Sequence, residues 1–138
     1  MGKLILLIYA KIFVAAICYT LAVVGSWSKG LSVTIKALFS TAFILDVWAT
    51  MNMYSINPVA PLNPHGFMGI GALLCAASLQ IIIVLHHLAA RLNIYIPFQT
   101  RCEKMFISLS GIFLFVWYIA AFMGLITGIM HTQNYYPQ

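Results

Sequence analysis

Asp46 and Glu103 are the only acidic side chains in a chain of 138 residues that also carries seven lysines and arginines and four histidines. Asp46 interrupts the apolar run "FILDVWATMN" at residues 43–52, and Lys11 interrupts a second run, "LILLIYAKIFVAA", at residues 4–16. A charge left unpaired at membrane depth costs about 3 kcal/mol on insertion scales, so ionisable residues inside spans pair with one another or serve ion and proton movement. Lys11 and Asp46 are therefore a candidate intramembrane charge pair. Two other arrangements compete with it. Lys11 can extend its stem and carry its ammonium outward, and Asp46 can accept hydrogen bonds from Thr50 or from a tyrosine of a neighbouring helix.

The histidines raise the question of b-type haem. Two axial imidazoles must come from different helices at one depth, and His65 with His131 is the one obvious such pair. His86 and His87 have no histidine opposite them. Interfacial histidines or a helix cap account for all four without a ligand, so no cofactor is expected. Cys18, Cys75 and Cys102 include no C-x-x-C, and neither a zinc site nor a disulfide framework is indicated. Small buried packing residues are the simpler reading of the three. No nucleophile motif and no glycine-rich phosphate loop is present, so no catalytic residue and no metal ligand is assigned.

The elements that must position these groups follow from composition. Hydrophobic residues make up 63% of the chain and charged residues 7%, against about 25% charged in soluble domains. Four runs, at residues 4–25, 32–54, 66–90 and 105–130, reach the length of about 20 apolar residues that crosses a bilayer. The expected fold is all-α: one integral membrane bundle of four transmembrane helices, residues 1–138, with short loops and no soluble domain. The first run is read as a mature helix rather than a signal peptide, because it lacks a small-residue cleavage site.

The net charge of +5 suits topology rather than nucleic acid. Lys29, Lys36, Arg91, Arg101 and Lys104 flank the first and third connections, whereas Lys3 and Lys11 lie towards the N-terminus. The bias places loops 26–31 and 91–104 in the cytoplasm and both termini outside. In the third connection, "RLNIYIPFQTRCEK", Tyr95 and Phe98 suit the interface, while Arg91, Arg101 and Lys104 suit anionic lipid. In the second, "SINPVAPLNPHG", Pro58, Pro61 and Pro64 suit a polyproline-like strap, with Asn63 as N-cap and Pro64 as first residue of the third helix.

Small and polar residues recur at steps of three and four, which share a helix face. Lys11, Ala15, Cys18, Ala22 and Gly25 form one stripe on the first helix. His65, Gly69, Ala72, Ala76, Gln80, Ile83 and His87 form one on the third, a possible ligand face in its polar members. Ala120 or Ala121, Gly124, Gly128 and His131 form one on the fourth. Small residues let helices approach closely in lipid, so Gly69, Ala72, Ala76, Gly124 and Gly128 are expected at helix contacts, within the bundle or towards a second copy or a larger membrane complex. With equal depth for Lys11 and Asp46, Gly69 or Ala72 and Gly124 fall in the same layer.

Taken together, "CYTLAVVGSWS", "LDVWATMNM", "HGFMGIGALL" and "FLFVWYIAAFMGLITGIM" resemble the HsmA-like family of small four-helix bacterial membrane proteins, over nearly the whole chain. The resemblance implies an aspartate late in the second helix, here Asp46, and an H-G start to the third, here His65–Gly66. Members also tend to carry a histidine further along the third helix, near the depth where this chain has Gln80. The resemblance implies a bacterial inner-membrane protein and speaks to topology more than to mechanism.

Three function classes follow. The small-residue faces and the lack of a catalytic set favour a non-enzymatic structural or accessory membrane component. The alternative is a small transporter or ion-coupled carrier that uses Asp46 and Lys11. A second alternative is a b-type haem protein that uses His65 and His131.

Overall fold

The computed structural model describes the backbone of residues 2–56, 64–92 and 96–135, and the side chains of residues 6–55, 66–92 and 96–126. Four helices account for nearly all of it: α1 (Gly2–Lys29), α2 (Val33–Ile56), α3 (Pro64–Arg91) and α4 (Ile96–Tyr135). All four are long and apolar enough to cross a membrane. The expected all-α four-helix architecture is the one found, and α3 begins at Pro64 as expected. Asn63, Pro58, Pro61 and Tyr95 lie outside the described residues, as do the side chains of His65, Gly128 and His131.

Some boundaries differ: α1 runs on to Lys29 rather than ending at Gly25, and α4 starts early. The fourth helix begins at Ile96 rather than Met105, so the amphipathic part of the third connection is the first turns of α4. Pro97 suits this start, because the first turn of a helix needs no backbone N–H from it. Its charged residues made the stretch look like a loop. They instead sit on a helix of 40 residues, about 60 Å at 1.5 Å per residue and longer than the bilayer core of about 30 Å requires.

α1 and α2 form one close hairpin, α3 and α4 the other, and the hairpins meet more sparsely through α1 with α4 and α2 with α3. Among the described residues the backbones of the diagonal pairs stay apart, and α2 reaches α4 through long side chains, Phe39 to Phe106 and Asp46 to Trp117. The buried positions explain the arrangement. On α1 they include Ile8, Lys11, Ala15, Tyr19, Ala22, Val23 and Ser26, and on α2 Ile35, Phe39, Ala42 and Ala49. On α3 they are Ala72, Ala76, Leu79 and Ile83, and on α4 Cys102, Phe106, Ser110, Phe113, Trp117 and Ala120. Steps of three and four dominate each set, the spacing of helices that cross at a shallow angle. The stripes therefore face into the bundle. Ser26 and Ser110 enter it without a partner helix, since each hydroxyl donates to the carbonyl three residues back, Val23 at 2.7 Å and Ile107 at 3.3 Å.

Aromatic rings fill the space between the hairpins. Tyr19 meets Phe39 at 5.0 Å, Phe113 at 4.9 Å and Trp117 at 5.6 Å between centroids, all edge-to-face. Phe39 also meets Phe106 at 5.3 Å. Such geometry sets the positive ring edge against the negative face of its neighbour. It lets bulky rings occupy the wide hairpin junction while alanines serve the narrow contacts.

The glycines divide. A Cβ on Gly25 would come within 2.6 Å of the Ile35 Cδ1, so α1 and α2 approach closely there. A Cβ on Gly69 or Gly71 would meet nothing within 4 Å, so Gly69 does not mark the close approach expected of it; Ala72 and Ala76 do. Gly69→Ala is accordingly expected to raise stability by about 0.5–1 kcal/mol through helix propensity alone. Thermal unfolding in detergent checks this, and a clear loss of stability would mean that something packs on Gly69 after all.

Candidate functional site

Asp46 lies on the buried stripe of α2, four residues after Ala42 and three before Ala49. Its Oδ2 accepts a hydrogen bond from Trp117 Nε1 of α4 at 2.8 Å and a longer one from Tyr19 Oη of α1 at 3.4 Å. Tyr19 is wholly buried and Trp117 nearly so. The two donors also pack against each other, so each holds the other's ring in position. One carboxyl oxygen thus joins three helices and both hairpins.

The expected Lys11–Asp46 pair is not formed directly. Lys11 is buried, with 8% of its surface exposed, and its Nζ lies 3.5 Å from the centroid of the Trp48 ring. That cation–π contact contributes about 0.5–2 kcal/mol, the higher value applying when the ammonium is desolvated. The reason for the difference is rotation. Trp48 follows Asp46 by two residues, roughly 200° around the helix at about 100° per residue. Asp46 turns towards α1 and α4 in the core, while Trp48 lies on the outer side and is more than half exposed. The expectation that a neighbouring tyrosine would serve Asp46 is met by Tyr19, and Trp117 adds the shorter bond. Both donors are readable only in hindsight. Tyr19 follows Ala15 by four on the α1 stripe, and Trp117 follows Phe113 by four on that of α4.

The polar residues of α3 disperse. Gln80 Nε2 donates to Ser40 Oγ of α2 at 2.9 Å, and the serine hydroxyl donates to Gln80 Oε1 at 3.2 Å. His87 is exposed and does not share the inward face expected of it. His86 is the histidine that turns towards a neighbour, with Nδ1 3.3 Å from Lys36 Nζ. The helix carries both rings side by side, and the inward stripe passes through Ile83 and not through His87. Gln80 is thus a helix tie, and Gln80 and His87 do not share one face. No cluster of three or more His, Cys, Asp and Glu side chains suited to a metal ion occurs among the described residues. Cys18 is partly buried and Cys102 buried, but Cys75 is exposed on the outer face of α3, against the packing role expected of it.

Glu103 is a functional contact that sequence reasoning missed. From α4 its Oε1 accepts the Leu31 N–H at 3.0 Å, in the connection between α1 and α2. Gly30 there has φ 58°, a left-handed conformation that ends α1, and its N–H reaches the Ser26 carbonyl at 3.0 Å. Ser32 caps α2, with Oγ accepting from Ile35 N–H at 3.4 Å and its carbonyl accepting from Lys36 N–H at 3.0 Å. Both carboxyl side chains of the protein therefore bind α4 to the α1–α2 hairpin.

Comparison with protein-family models, curated proteins and solved structures finds no match to this chain.

Proposed function

We propose that the protein is a non-enzymatic structural or accessory component of a bacterial inner membrane, of the HsmA-like kind its motifs resemble. The observation that carries this reading is the use of Asp46. Its Oδ2 is taken by donors from two other helices, and the nearest candidate countercharge, Lys11, is held on Trp48. A coupling carboxyl needs a changing set of partners. This one is held among packed rings and acts as a clamp. Ser40–Gln80 and Glu103–Leu31 serve in the same way between other elements. In this reading the membrane is entered with both termini outside and with residues 26–31 and 91–104, the end of α1 and the first turns of α4 included, on the cytoplasmic side. Its support is the clustering of Lys29, Lys36, Arg91, Arg101 and Lys104 at one end of the bundle. Any partner, a second copy or a larger complex, would dock on outward faces, because the described part of the α4 small-residue stripe, Ala120 above all, is used inside.

The test is reconstitution into liposomes that contain a pH-sensitive dye, under an imposed proton gradient. Vesicles with wild-type protein and with Asp46→Asn should both match empty vesicles in proton flux, since the amide keeps an acceptor for Trp117 while losing the titratable group. Flux that appears with the wild type and disappears with Asp46→Asn would overturn the proposal in favour of a carrier. A Soret band after growth with haem supplied would overturn it in favour of the cytochrome.

A further inference from the structure

The first turns of α4 carry a groove of about 760 Å³ on their outer face, lined by Ile96, Pro97, Thr100, Arg101, Lys104, Met105, Ser108 and Leu109. We infer that this groove binds one anionic phospholipid, with its phosphate between Arg101 and Lys104 and its acyl chain along Met105 and Leu109. The inference rests on the membrane-spanning reading and is independent of the orientation and of the role proposed above.

Charge is the first argument. The chain has seven lysines and arginines and two acidic side chains. Both acids are committed elsewhere, Asp46 to Tyr19 and Trp117 and Glu103 to the Leu31 N–H. Glu103 sits between Arg101 and Lys104 in sequence but turns inward, so it leaves the outer face wholly cationic. Among the described residues no acidic side chain pairs with Arg101 or Lys104, and both are exposed. Neither acid of the chain is placed to neutralise them, so the groove offers two cations to an anion from outside.

Depth is the second. After a first apolar turn at Ile96 and Pro97, the groove carries its two cations, Arg101 and Lys104, and then turns apolar. Ser108 and Leu109 lie one turn beyond Lys104, about 6–8 Å at 1.5 Å per residue, and continue the same exposed face. Met105 and Leu109, each nearly half exposed, line the same face for the chain. Thr100 adds no donor, because its hydroxyl is given to the Ile96 carbonyl at 3.2 Å. A free phosphate ion would use the two cations but leave this apolar face uncovered, which favours the lipid.

The experiment is native mass spectrometry of the full chain, released from detergent with equal amounts of phosphatidylglycerol and phosphatidylcholine of the same acyl composition. The wild type should retain phosphatidylglycerol about tenfold or more over phosphatidylcholine, as expected of two basic residues at a membrane surface. R101Q/K104Q should reduce that preference to about twofold or less, because the two basic contacts are gone. Arg101→Lys with Lys104→Arg should preserve it, which separates loss of charge from loss of fold. Arg91→Gln, at the same end but outside the groove, should leave it unchanged. Equal retention of both lipids by the wild type overturns the inference. So does an equal loss with Arg91→Gln, which would mean a diffuse basic end, or displacement of the lipid by inorganic phosphate. Cross-linking of two copies through Thr100→Cys would assign the groove to a second chain instead.

Discussion

Trp117→Phe should lower stability by about 1–2 kcal/mol, because it removes the shorter of the two hydrogen bonds to Asp46 and leaves a partly buried carboxyl with the longer Tyr19 bond. The ring change also removes volume from the hairpin junction, so the single substitution does not isolate the bond. A double-mutant cycle does. In an Asp46→Leu background the acceptor is gone, and Trp117→Phe should cost only its packing share. Thermal unfolding in detergent measures all four corners. If Trp117→Phe costs the same in both backgrounds, the hydrogen bond contributes nothing and Asp46 is not a clamp. Asp46→Asn should lie near the wild type, since an amide oxygen can accept from the indole.

Gly30→Ala is the second large effect, about 2–4 kcal/mol. A residue with a Cβ at φ 58° costs about 1–2 kcal/mol. The added carbon would also collide with Glu103 Oε1 and drive the carboxylate from the Leu31 N–H. A hydrogen bond to a charged group is worth about 1.5–3 kcal/mol. In a Glu103→Ala background only the conformational share should remain, so the two substitutions together cost less than their sum. Additivity within about 0.5 kcal/mol would show that the collision is relieved without loss of the bond.

The architecture was legible because it rests on composition and run length, which survive ignorance of helix rotation. The inward stripes of α1 and α3 were legible for a related reason. Ala15 and Ala22 lie seven residues apart, two turns, Ala72 and Ala76 four, and all are buried. The site was less so. Lys11 and Asp46 were placed at one depth from distances along the helix, but depth does not say which way a side chain turns. Opposite charge suggested a partner, and the partner lay on the far side of α2. A tyrosine donor was expected, but not which tyrosine, and Trp117 was passed over because aromatic residues in spans look like packing or interface anchors. Only their placement against Asp46 shows an O–H and an N–H at work. Glu103 was hidden differently. It looked like part of a charged loop, and only the early start of α4 turns it towards Leu31. Gly69 shows the opposite error, a small residue on the expected face where, among the described residues, an added Cβ would touch nothing.

The two carboxyl contacts join residues far apart in the chain, Asp46 with Trp117 and Leu31 with Glu103, 71 and 72 positions away. Synthesis at about 5–20 residues per second separates the partners by about 4–14 s. A first hairpin formed in that interval would offer Asp46 to Tyr19 alone and leave the Leu31 N–H without its acceptor. The last helix to be made is therefore the one that finishes the first turn, and such a newborn hairpin would wait in the membrane as an incomplete half.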